Sequence, residues 1–119
     1  MATMTIQLDR EDRAYVPGEP ITGRVQWDLD QGSERVTVRL IWQTSGKGNR
    51  DTGVVNETQW DRVPLSGERA FDFPGVEGPY SFSGKLITVG WLIEAVAEPG
   101  EGYAEQSFSV SPTGSEVAI

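Results

Sequence analysis

The sequence predicts an all-β protein, an antiparallel sandwich of about seven strands. Three observations carry this. Short segments of alternating apolar and polar residues recur between turn signals. Stretches of helix formers are short and broken by Gly or Pro, as at Glu98-Pro99-Gly100. One segment also sustains a period of two through Ile87, Val89, Trp91, Ile93, Ala95 and Ala97, long enough for the spine of a sheet rather than an edge.

The first strand is read over residues 4–8, followed by the charged link Asp9-Arg10-Glu11-Asp12-Arg13. Pro17 and Gly18 suit a tight turn, since one fixes φ and the other tolerates a positive φ. The second strand, residues 21–27, sets Ile21, Gly23, Val25 and Trp27 on one face. Gly23, in mid-strand, implies a bulge or a close backbone approach. Residues 28–33 turn the chain into a third strand, 35–43, with Val36, Val38, Leu40 and Trp42 inward. Residues 44–53 read as a polar, Gly-rich loop. A fourth strand follows over 54–61 and a fifth over 68–73, with Phe71 and Phe73 inward. Pro79 and Gly84 bracket a bend that delivers Phe82 to the sandwich edge. The sixth strand is the long one, and the seventh covers 103–110 with Gln106, Phe108 and Val110 on one face. The sandwich domain is thus expected over residues 1–111, with 112–119 a mobile tail.

Composition narrows the function. A chain of 119 residues is one domain by length. It has no Cys and no His, which removes disulfides, thiol nucleophiles, the usual metal ligands and any Ser-His-Asp arrangement. Net charge is −8, and the two lysines, Lys47 and Lys85, make no basic patch for phosphate backbones. Nucleic acid is therefore not an expected partner. The N-terminal residues lack the basic and apolar regions of an export signal, and no apolar run reaches the ~20 residues of a membrane span. The expectation is an acidic, cytoplasmic protein without membrane insertion.

Several motifs then align with a known family. Tyr15, Pro17-Gly18-Glu19, Ile21 and Gly23 resemble the Y-x-P-G-E-x-[VI]-x-G signature of arrestin-fold domains. Val36, Val38 and Leu40 are similar to that family's next strand. Phe71-Asp72-Phe73-Pro74, the run Gly78-Pro79-Tyr80-Ser81-Phe82-Ser83-Gly84, and Val89, Trp91, Ile93 and Ala95 resemble its later block. The resemblance implies an immunoglobulin-like, arrestin-like sandwich and a protein-binding or trafficking-adaptor role. The departures are that arrestin-like proteins usually join two such sandwiches, that the phosphate-sensing Lys and Arg cluster is missing, and that Trp91 stands where the family has Tyr.

Other candidate sites have plainer readings. Gly46-Lys47-Gly48 lacks the remainder of a phosphate-binding loop and reads as a hairpin turn. Asp28 and Asp30 with Asp9, Glu11 and Asp12 offer oxygen ligands to calcium, but their spacing fits no recognised loop. Trp27, Trp42 and Trp91 fall on inward faces and read as core rather than as a sugar platform, with Trp60 open to either reading. Pro17-Gly18-Glu19-Pro20 reads as a turn rather than an SH3 ligand, and Val117-Ala118-Ile119 as a frayed end.

Ile41, Leu92 and Val96 face outward on the third and sixth strands, with Tyr103 alongside, so adjacent strands would expose a contiguous apolar patch. Leu92→Arg is then expected to abolish assembly and leave the fold intact. The reading is a non-enzymatic protein-binding module, an adaptor or scaffold, whose partner is another protein or itself as a homodimer standing in for the second lobe. It has no catalytic or metal-ligating residues and no cofactor. The alternative is a carbohydrate- or calcium-dependent ligand-binding sandwich.

Overall fold

Alternating side chains commit a strand to one buried face, and the chain sorts those faces into two facing sheets. The computed structural model describes residues 3–10, 14–29, 35–46, 49–76, 82–83, 88–98, 102–110 and 117–118. These residues form strands, turns and bends, with no helix among them. In chain order the strands are β1 (Thr3–Leu8), β2 (Ala14–Tyr15), β3 (Ile21–Asp28), β4 (Arg35–Gly46), β5 (Asn49–Asp61), β6 (Ser66–Phe73), β7 (Phe82–Ser83), β8 (Thr88–Glu98), β9 (Tyr103–Val110) and β10 (Val117–Ala118). The seven long ones correspond to the seven expected, and the other three are two residues each.

The smaller sheet runs β1-β3-β6, antiparallel throughout. In the larger sheet β8 is central. It pairs β4 on one side, and on the other β9 along most of its length and β7 at its start. β4 in turn pairs β5, which ends the sheet on that side, while β2 adds in parallel to β9 and β10 in parallel to β7. The segment expected to be a mobile tail therefore contains a short strand, Val117–Ala118, registered on Phe82 and Ser83. Pro79 and Gly84 lie outside the described residues.

The inward residues expected from alternation meet between the sheets. Ile21, Val25, Trp27, Phe71 and Phe73 face Val36, Val38, Leu40, Trp91, Ile93, Ala95, Phe108 and Val110, and all are buried. Trp42 and Trp60 pack against this core from its margin. Gly23 is a close approach rather than a bulge, because a Cβ there would collide with the Gln7 carbonyl and the Phe71 ring.

One expectation fails. Residues 44–53 are not a loop. β4 and β5 continue as a hairpin with Thr44 opposite Asp51 and Gly46 opposite Asn49, joined through Lys47 and Gly48, which are outside the described residues. The hairpin hid from the sequence because Thr44, Ser45, Arg50, Asp51 and Thr52 give no apolar alternation.

The Tyr15–Gly23 signature has a physical reading. Gly18 sits at φ 83°, and the Glu19 N–H donates to the Val16 carbonyl at 3.1 Å, closing the turn that Pro17 starts. The Glu19 carboxylate accepts the Val16 N–H at 3.2 Å and takes Arg10 Nη1 on both oxygens at 2.8 and 2.7 Å. Arg10 lies over the Tyr15 ring, which is buried edge-on against Phe108.

Candidate functional site

The outward face of the larger sheet is built in rows by strand register. One row runs Gln59, Thr37, Val96 and Tyr103 across β5, β4, β8 and β9. The next runs Glu57, Arg39, Glu94 and Glu105, and the third Val54, Ile41, Leu92 and Ser107.

The middle row is a charged ladder. Arg39 donates from Nε to Glu57 at 2.8 Å and from Nη1 to Glu94 at 3.2 Å, so one guanidinium ties three strands together. Its pKa is raised, chiefly by the hydrogen bond it donates to Glu57. The Tyr103 hydroxyl lies 2.9 Å from Glu105 Oε2 and 3.3 Å from Glu94 Oε2. Burial and the two carboxylates push its phenol up to about 12. Three carboxylates thus share one guanidinium and one hydroxyl proton. Two donors, the Arg39 guanidinium and the Tyr103 hydroxyl, hold the row's carboxylates in place.

The four residues expected to form an apolar patch are all on this face, and the assumed neighbour relation of their strands holds. Ile41 stands directly opposite Leu92, and Val96 directly opposite Tyr103. The patch itself does not form as expected. The charged ladder runs between the two pairs, and only Tyr103 is exposed, at 53%, whereas Ile41 is 7% and Leu92 5% exposed. Both lie outside the main core cluster. The long Arg39 and Glu94 side chains stand in the adjoining row, and such side chains cover apolar neighbours with their stems while their heads stay in water. Leu92→Arg is accordingly not a clean surface probe, since it would place a charge at a buried position.

The other candidates separate. Asp9 is held at the start of β3, where it accepts from Thr22 Oγ1 at 2.7 Å. Asp28 is at the far end, accepting from Ser66 Oγ at 3.2 Å. With roughly 3.4 Å per residue these carboxylates are about 20 Å apart and share no ion. Asp30, Glu11 and Asp12 lie outside the described residues. Among the described residues no group of three or more acidic side chains forms a metal-ligand set, and no helix is long and apolar enough to cross a membrane.

What the sequence reading missed is the free edge. β5 is thirteen residues long and, among the described residues, pairs β4 alone. At its middle the register shifts, with Leu40 opposite Asn56 and Ile41 opposite Val54, so that Val55 is bulged. Val54 and Val55 are 57% and 48% exposed there. The signal available was the Val54-Val55 pair, two consecutive valines that no single alternating face can bury together.

No family profile matches the sequence, and no curated protein matches it. Among solved structures, the chain is similar to the crystal structure of Spo0M, a sporulation control protein from Bacillus subtilis, at 18% identity and a TM-score of 0.61. The fold is arrestin-like. The match takes in 92% of this chain and 49% of the other, so the arrestin-like sandwich described here spans about half the length of that protein.

Proposed function

We propose that this chain is a non-catalytic protein-binding module, an adaptor or scaffold that takes up its partner at the open side of the larger sheet. The observation that supports this is β5, hydrogen-bonded among the described residues to β4 alone and carrying exposed Val54 and Val55 at mid-strand. A free edge is a template for an added strand, because its outward N–H and C=O groups lack sheet partners and backbone pairing supplies affinity. The flanking face adds fixed negative charge through Glu57, Glu94 and Glu105, which selects among partners and speeds encounter with basic ones.

The test is affinity capture from native lysate by the wild-type chain and by Val54→Lys/Val55→Lys, both first shown to melt cooperatively. The reading expects a saturable protein partner whose capture the double variant reduces at least tenfold. Capture that ignores the β5 variant, or turnover of a substrate by the purified chain, overturns it.

A further inference from the structure

We propose that β5 pairs antiparallel with β5 of a second copy of this chain, about a two-fold axis passing between Val54 and Val55, so that the two larger sheets continue as one. This rests on the binding-module reading and names its partner.

The edge lacks most of the usual protections. Natural edge strands are kept apart by Pro, by Lys, by inward-pointing charge or by shortness. β5 has neither Pro nor Lys, is thirteen residues long, and is uncharged from Thr52 to Asn56. The bulge at Val55 is a protective feature that it does carry. That same bulge makes the strand self-complementary.

Below the bulge the inward position of β5 is Gly53, opposite Trp42. Above it the inward positions are Asn56, Thr58 and Trp60, opposite Leu40, Val38 and Val36. Inward residues are thus odd-numbered in one half and even-numbered in the other. Directly opposed residues of an antiparallel pair share a face. An unbulged strand meets its own copy with faces matched only when the axis passes through a residue. Bulged β5 does so only when each half lies against the other half of the second copy, with the axis between two residues.

Placing that axis between Val54 and Val55 sets each Val54 against Val55 of the second copy and gathers four valines at the centre. Gly53 then faces Asn56, Thr52 faces Glu57, Asp51 faces Thr58 and Arg50 faces Gln59, so no like charges are opposed. The neighbouring register, centred on Val54, breaks the face match and sets Asp51 against Glu57. The contact is isologous and closed, as in a C2 dimer. Strand pairing with few buried side chains lies at the small end of interfaces, so assembly is expected to depend on concentration in the micromolar to millimolar range.

Light scattering after size exclusion, run on the wild-type chain across that range, should show the mass rise from 13.0 kDa towards twice that value. Val55→Lys should remain at the monomer mass with an unchanged melting temperature. The chain has no Cys, which allows a register test. Val54→Cys mixed with Val55→Cys under mild oxidation should cross-link several-fold more than either variant alone. This mixture also decides the matter if the Lys variant fails to fold. A wild-type monomer at every concentration, a dimer that survives Val55→Lys, or equal cross-linking in all three samples overturns the proposal. A monomer that still captures another protein through β5 overturns self-pairing alone, whereas a monomer that captures nothing through β5 overturns the binding-module reading as well.

Discussion

Trp27 occupies the space over Gly67, the residue directly opposite it on the neighbouring strand, so closely that a Cβ on Gly67 would stand 2.7 Å from the indole Cζ2. The larger sheet repeats the device with Trp42 over Gly53, where the corresponding distance is 2.5 Å to Nε1. An aromatic ring covering a cross-strand glycine fixes register, because a slip by one residue sets the ring against a side chain.

Gly67→Ala is expected to cost about 1–3 kcal/mol through overpacking and to lower the melting temperature by several degrees. Trp27 has little room to yield, because it is buried and its Nε1–H is tied to the Pro64 carbonyl at 3.0 Å. Gly53→Ala should cost less, since Trp42 is only partly buried at the margin of the core. Calorimetry on the two variants checks the order. A larger loss at Gly53 would show that burial does not set the freedom of the ring.

The Glu19 carboxylate binds both the turn N–H of Val16 and Arg10, so Glu19→Ala is expected to destabilise by about 1–2 kcal/mol. Gly18→Ala, at φ 83°, should cost about 1–2 kcal/mol by left-handed strain. The double variant should lose less than the sum, because both act on one turn. Tyr15 behaves differently. Its buried hydroxyl makes no hydrogen bond of good geometry among the described residues, and burial pushes its phenol up while the nearby Arg10 backbone N–H and guanidinium oppose this. Tyr15→Phe keeps the edge-on contact with Phe108 and is expected to be neutral or mildly stabilising. Urea midpoints for the set decide each sign.

Tyr103 gives an alkaline signature. Its folded-state phenol is pushed up to about 12, whereas an unfolded tyrosine ionises near ~10. Between those values the unfolded chain has given up its proton and the folded chain has kept it, so stability falls as pH rises through the window. Below it, both states are protonated and the contribution is fully present. Denaturation curves from pH 9 to 12 should therefore fall more steeply for the wild type than for Tyr103→Phe. Parallel curves would show that Tyr103 titrates as a free phenol.

Legibility followed the core. Where one face meets the opposite sheet, as with Ile21, Val25 and Trp27 or with Trp91, Ile93 and Ala95, alternation located both the strand and its inward residues. Where a strand runs past the core the pattern lapses, so the outer half of the β4–β5 hairpin read as loop, and the free edge went unseen with it. The outward face was placed correctly by parity, and Ile41 does meet Leu92. Its exposure was not legible, because parity assigns a face and not what lies over it, and the Arg39 and Glu94 side chains of the next row are placed by ion pairing across three strands rather than by local sequence.

Arg39 tests that last point. It holds Glu57 and Glu94 on the two flanking strands and is itself only 28% exposed. Replacing it by Met keeps much of the stem and removes the charge, leaving Glu57, Glu94 and Glu105 as like charges along one row. Arg39→Met is expected to cost about 1 kcal/mol at low ionic strength. The gap to wild type should then narrow as salt is added, since screening weakens the attraction in one protein and the repulsion in the other. Adding Glu94→Gln to the variant should recover part of the loss by removing one of the three charges. Arg39→Ala removes the stem as well. If the stem covers Ile41 and Leu92, the alanine variant carries an additional loss that salt does not reduce. Equal stabilities of the Met and Ala variants at high salt would show that the apolar pair is covered by something other than Arg39.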